Sequence, residues 1–244
     1  MANPAFNAKT FEQVHAQAGE VMTVEGTVNK TAVLLFLVMV PAAWVWSRTL
    51  AAVDPAAAAV PYLIGGALGG LVFAVITIFK KEWAPVTAPV YAILEGLALG
   101  AISAFYQLQF KGIVFQAVGL TFAVLAVMLM LYRTGVIKVT DKFRFMVVAA
   151  TAAVGVVYLV TIVLGFFGVT VPFIHQSGTI GIVFSLVVVG IASLNLALDF
   201  DLISRGSEGG APKFMEWYAA FGLMVTLIWL YLEILRLLSK LRRR

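Results

Sequence analysis

The sequence predicts an all-α membrane protein with seven transmembrane helices, and three observations carry that prediction. Seven apolar runs follow one another along almost the whole chain, each near the about 20 residues that cross ~30 Å of hydrocarbon. Hydrophobic residues make up 62% of the 244 and charged residues 12%, about half the charged share of a soluble domain. The runs are apolar on all sides, without the alternation of a transmembrane barrel strand. Helices are therefore the form that satisfies the backbone in lipid.

The first thirty residues are a polar N-terminal segment (1–30) of mixed charge. They lack the basic-then-apolar order of a signal peptide, so the first apolar run reads as a retained span. Helices are expected at roughly 31–48, 60–79, 86–108, 112–132, 144–169, 178–203 and 214–238. That makes 31–238 one transmembrane domain and 239–244 a basic C-terminal tail.

Turn chemistry separates the runs. Asp54 and Pro55 break the first connection, and Lys80, Lys81, Glu82 and Trp83 with Pro85 and Pro89 open the third helix. Gly112 follows Lys111, the polar stretch from Arg133 to Arg144 joins spans four and five, and Pro172, His175 and Gly178 lie between spans five and six. SRGSEGGAP before Lys213 reads as a flexible turn. Gly65, Gly66, Gly69 and Gly70 form two overlapping small-xxx-small pairs, and Gly96 with Gly100 forms another. Such spacing lets helix backbones approach closely, and it is assigned to packing rather than chemistry.

Charge distribution sets orientation and excludes partners. Five of the seventeen Lys and Arg lie at 236–244, and most others flank apolar runs. The net charge of +5 thus belongs to topology and lipid headgroups, with no nucleic-acid partner. A cytoplasmic N-terminus gathers Lys9, Lys30, Lys80, Lys81, Arg133, Lys138, Lys142, Arg144, Arg205 and Lys213 on one side, ten charges, against Arg48 and Lys111 opposite. Seven spans then place the basic tail on the far side. Cysteine is absent, which removes disulfides, a thiolate nucleophile and cysteine metal sites.

Function is read from the few carboxylates inside the apolar runs, since such residues are costly and by default functional. Glu95 lies ~13 Å from the cytoplasmic face, Asp199 ~6 Å and Asp201 ~3 Å, and Glu233 ~28 Å along span seven. Glu95 and the aspartates are thus candidates for a shared cytoplasm-facing cavity. Asn195 and Asp199 stand one turn apart on one face, and Asp201 points about 200° away. Asp201 is accessory, facing headgroups or pairing with Arg205. Two readings of Asp199 stay open: a carboxylate satisfied by Lys80, Lys81 or a helix end, or one lining and gating an ion pathway. Glu233 is expected to form an interfacial ion pair with Arg236. Two carboxylates in contact share a proton, and a divalent cation can replace it. Asp199 and Glu95, with Asn195 and the Thr226 hydroxyl, are the oxygen donors for a transient calcium ion.

The stretches YAILEGLALGAISAFY, LNLALDFDLI and WLYLEILRLL, with the opening MANPAF and MTVEGTVNKTA, resemble the Bax inhibitor/YccA-like (TMBIM) family in its bacterial branch. The resemblance covers nearly the whole chain. It implies six helices packed around a central seventh, a multi-pass bacterial inner-membrane location, and a pH-sensitive calcium leak. It also implies a gate formed by an aspartate on span six and another on span seven. Asp199 matches the first position, with Leu198 where the family has tyrosine. The second falls near Thr226, and no acidic residue occurs from Phe221 to Leu232. The family's pair is therefore not carried over intact, and Thr226 or Glu95 takes the partner role.

Enzyme chemistry is not expected. Aspartates occur on span six alone of the two spans an intramembrane aspartyl protease needs, Ser177 and His175 share one loop, and span seven has no lysine before Lys240. The alternative to an ion leak is a non-transporting regulator that binds a membrane protease or another membrane protein. Beyond the bilayer, the expected partners are calcium or protons, or that membrane protein, and no cofactor.

Overall fold

The computed structural model describes residues 21–168 and 178–243. Among them are seven helices long and apolar enough to cross a membrane: α1 (Val24–Ala51), α2 (Pro55–Phe79), α3 (Ala84–Gln109, preceded by a 3-10 turn at Lys81–Trp83), α4 (Ile113–Arg133), α5 (Asp141–Phe166), α6 (Thr179–Glu208) and α7 (Met215–Arg242). Lys9, Pro172, His175, Ser177 and Arg244, which entered the sequence reading, lie outside the described residues.

The helix ends follow from side-chain chemistry. Thr23 caps α1 by accepting from the Gly26 N–H, so α1 begins at Val24, inside the segment assigned to the polar N-terminus. Asp54 accepts from the Ala56 and Ala57 N–H groups, and Pro55 starts α2 where its missing N–H costs nothing. Gly112 (φ +81°) turns the chain from α3 into α4, a left-handed conformation suited to glycine. Thr140 caps α5. The stretch read as a flexible turn is mostly helix: α6 runs through Glu208 and ends where Gly210 takes φ +67°. At the other end α7 takes in most of the expected basic tail, continuing to Arg242.

The chain divides into two units. One comprises Pro4–Lys111 with Leu202–Val225, of which residues 21 onward are described. Here α3 packs between α1 and α2 through the small residues picked out in the sequence. A Cβ at Gly96 would lie 2.4 Å from the Val38 carbonyl oxygen, and one at Gly100 would lie 2.4 Å from that of Ala42, both on α1. On the α2 side, a Cβ at Gly66 would lie 2.6 Å from the Leu94 carbonyl oxygen. Gly65 meets nothing within 4 Å, while a Cβ at Gly69 would lie 3.2 Å from the Leu94 side chain, so of the four glycines Gly65 alone faces away from α3. Val45, Ala59 and Ala101 form a small core, with Tyr62, Leu97 and Phe105 against it. A Thr77–Thr87 hydroxyl bond of 2.7 Å joins α2 to α3.

The second unit comprises Gly112–Asp201 with Thr226–Arg244. Polar contacts between α5, α6 and α7 mark its interior. The helices differ in how much they enclose: 61% of the most apolar window of α7 is buried, against 11% for α5. Most of α5 is therefore a lipid-facing surface, consistent with exposed Phe145, Val156, Leu159 and Ile162.

Candidate functional site

Asp199 is carried on the last third of α6 among buried Leu196, Ala197, Leu198 and Phe200. It is 2% exposed. The Thr226 hydroxyl on α7, itself 3% exposed, donates to its carboxyl group. The other carboxyl oxygen, Oδ2, is buried with no hydrogen-bond partner among the described residues. An unmet polar atom in an apolar interior is costly, and a proton, a cation or a water molecule would each satisfy it. A hydroxyl suits such a position because it donates to a carboxylate and accepts from a carboxylic acid, so Thr226 stays bonded in either protonation state.

Asn195, on the same face of α6, is used differently. Its amide donates to Thr151 Oγ1 on α5 (2.8 Å) and to the Ile191 carbonyl (2.8 Å). The first bond anchors α6 to α5, and the second stays within α6.

Asp201 is not left to the headgroups. It is buried, and Arg144 Nη2 on α5 donates to its Oδ2 at 2.9 Å. The sequence reading looked for its partner four residues along its own helix. Arg144, in the first turn of another helix, is a partner that local spacing cannot reveal.

The far end of α7 holds the expected Glu233–Arg236 pair and adds a third member. Arg236 Nη1 lies 3.0 Å from Glu233 Oε1, and the Tyr158 hydroxyl on α5 donates to the same oxygen at 2.8 Å. Glu233 is 2% exposed and the Arg236 side chain 32%, so the carboxylate is enclosed while its guanidinium stays partly open. Lys240, expected in a solvated tail, is also buried and donates to Ser185 Oγ (2.8 Å) and the Gly181 carbonyl (3.0 Å) on α6. Arg242 reaches Gln116 on α4 at 2.8 Å.

In the other unit, Glu95 is half-buried on α3 and packs over Gly70 of α2, where a Cβ would lie 2.9 Å from Glu95 Oε2. One turn earlier, Tyr91 meets Phe221 edge to face at 5.0 Å. Lys80 is exposed at the end of α2, and the Lys81 ammonium lies 5.9 Å from the centre of the Tyr218 ring.

A carboxylate that the sequence reading passed over is the most enclosed in this unit. Glu216, 0% exposed in the first turn of α7, accepts from the Thr23 N–H and hydroxyl (2.9 Å each) and from Lys30. Lys213 stands 3.4 Å away. Nothing in the local sequence marks Glu216, because its partners lie near the start of the chain.

Of the candidates, the structure brings Asp199 and Thr226 together, ties Asn195 and Asp201 to α5, and packs Glu95 on α2. Among the described residues no three His, Asp or Glu side chains gather as a metal site.

Seven apolar helices with carboxyl groups enclosed between them define an integral, multi-pass membrane protein. The family model described as Bax inhibitor 1 like matches residues 3–243, and the chain belongs to that family. Comparison with curated proteins and with solved structures gave no match.

Proposed function

We propose that the protein is a pH-sensitive calcium leak of the bacterial inner membrane, with its N-terminus in the cytoplasm and Asp199 as the proton- and cation-sensing residue, reached from the cytoplasmic side. The observation that carries this reading is the carboxyl group of Asp199, enclosed between α6 and α7, with one oxygen toward Thr226 and Oδ2 without a hydrogen-bond partner among the described residues. A single carboxyl group with a hydroxyl partner titrates without a second acid to share its proton. The family's paired aspartates would instead give coupled steps. In this chain the latch is thus reduced to Asp199 and Thr226. Arg144 neutralises Asp201 nearby and keeps that second carboxylate from acting as the sensor.

The test is calcium entry into liposomes holding the purified protein, at several pH values. Wild-type entry should exceed that of empty vesicles and vary with pH. Asp199→Asn, which keeps shape and removes the titrating proton, should flatten the variation, whereas Glu233→Gln should leave its midpoint in place. Entry no greater than in empty vesicles would sink the leak and leave a non-transporting membrane regulator. A shifted midpoint in Glu233→Gln alone would place the sensor at the other end of α7.

A further inference from the structure

Arg144, Thr151 and Tyr158 recur at a fixed spacing on α5, and Thr226, Glu233 and Lys240 recur at the same spacing on α7. The spacing is that of a heptad, two turns of helix within about 20°, so each set shares one face. Between them α6 contributes Asp201 to Arg144, Asn195 to Thr151, Asp199 to Thr226 and Ser185 to Lys240, and Tyr158 reaches Glu233 directly. The result is a polar seam along α5, α6 and α7. From Thr226 it rises ~10 Å to Glu233 and ~21 Å to Lys240.

The two ends of the seam differ. At Asp199 a carboxyl oxygen is open. Toward Lys240 the charged groups are bound to one another. Arg236 donates to both oxygens of Glu233 (3.0 and 3.2 Å) and to the Tyr158 hydroxyl (2.5 Å), and its guanidinium lies 5.0 Å from the centre of the Tyr158 ring. Lys240 fastens the next level to α6. Two cations, Arg236 and Lys240, face one carboxylate, Glu233, so this end opposes the passage of a cation while it stays assembled.

We infer that Tyr158, Glu233 and Arg236, backed by Lys240, form a second gate that closes the seam at the end away from Asp199. The inference rests on the reading of Asp199 as the sensor. Asp199 sets the pH at which the pathway responds, and the second gate sets how much passes. Tyr158 is the member that ties α5 to the α7 charges, and its hydroxyl is removable without changing any charge.

Tyr158→Phe tests this in two ways. In calcium-loaded liposomes it should raise flux about ten-fold, the size of effect a hydrogen bond to a charged group can set, with the pH midpoint unmoved. Unchanged flux, or a shifted midpoint, overturns the gate. The chain has no cysteine, so Thr151→Cys places a lone thiol between Asp199 and the gate. A membrane-impermeant maleimide is added from the side of the α7 C-terminus. It should label this thiol slowly beside Tyr158 and about ten-fold faster beside Phe, the factor that 1.4 kcal/mol represents. Equal rates overturn the gate. Arg236→Lys, which keeps the charge and loses the fork, should reproduce the faster labelling, and it decides the matter if Tyr158→Phe does not fold. If wild-type liposomes pass no calcium, the leak reading fails, while the labelling still reads the gate by itself.

Discussion

Gly65 and Gly66 are neighbours on α2 with the same helical backbone, and the structure assigns them opposite environments. A Cβ at Gly66 would stand 2.6 Å from the Leu94 carbonyl oxygen, 2.8 Å from the Ala98 nitrogen and 3.1 Å from the Ala98 Cβ, while one at Gly65 would meet nothing within 4 Å. Ordinary contact begins at 3.4 Å, so Gly66→Ala needs α2 and α3 to separate by about 3.4 − 2.6 = 0.8 Å. The obstacle is backbone and cannot rotate away. Overpacking of this kind costs about 1–3 kcal/mol. Both alanines gain the same helix propensity over glycine, about 1 kcal/mol, which cancels when the two variants are compared. Gly66→Ala should therefore be less stable than Gly65→Ala by about 1–3 kcal/mol. The assay is reversible unfolding in mixed detergent micelles, followed by far-UV circular dichroism. A difference under about 0.5 kcal/mol, the range of ordinary surface substitutions, would refute the close approach of α2 and α3 at this point.

Other variants probe the charged contacts. Glu216→Ala should cost about 3 kcal/mol in the same unfolding assay, because it strips Thr23 and Lys30 of a buried acceptor. Gly26→Ala should also destabilise, since its Cβ would lie 2.2 Å from Glu216 Oε1. Arg144→Gln should destabilise by about 3 kcal/mol by leaving Asp201 buried without its guanidinium. Asp201→Asn in the Arg144→Gln background should recover much of that loss; no recovery would show that the pair is not what Arg144 supplies.

What was legible in the sequence was what local spacing encodes. The seven apolar runs are continuous stretches of chain, and each became a helix. The separation of Asp199 from Asp201 by the helical period matches what is seen: the first meets α7 and the second meets α5. Glu233 and Arg236, three residues apart, met as spacing predicts. Polar residues at helix ends were harder to place, because hydropathy falls there whether or not the helix continues. Thr23, Glu208 and Lys240 show this: their backbone is fixed by a cap, a glycine turn and a buried amine contact, none of which lowers polarity. Partners on distant helices were not legible at all. Arg144 and Asp201 are 57 positions apart, Tyr158 and Glu233 are 75 apart, and only packing brings them together.

The Glu216 contact orders events during synthesis. Thr23, at the start of α1, is separated from its acceptor by 193 positions, a wait of roughly 10–40 s at about 5–20 residues per second. Until α7 arrives, the Thr23 N–H and the Lys30 ammonium have no Glu216 to bind. A chain stopped before the last helix therefore presents an unmet donor and an unmatched charge near its N-terminus. Completion of the final span is in this way registered at the first one.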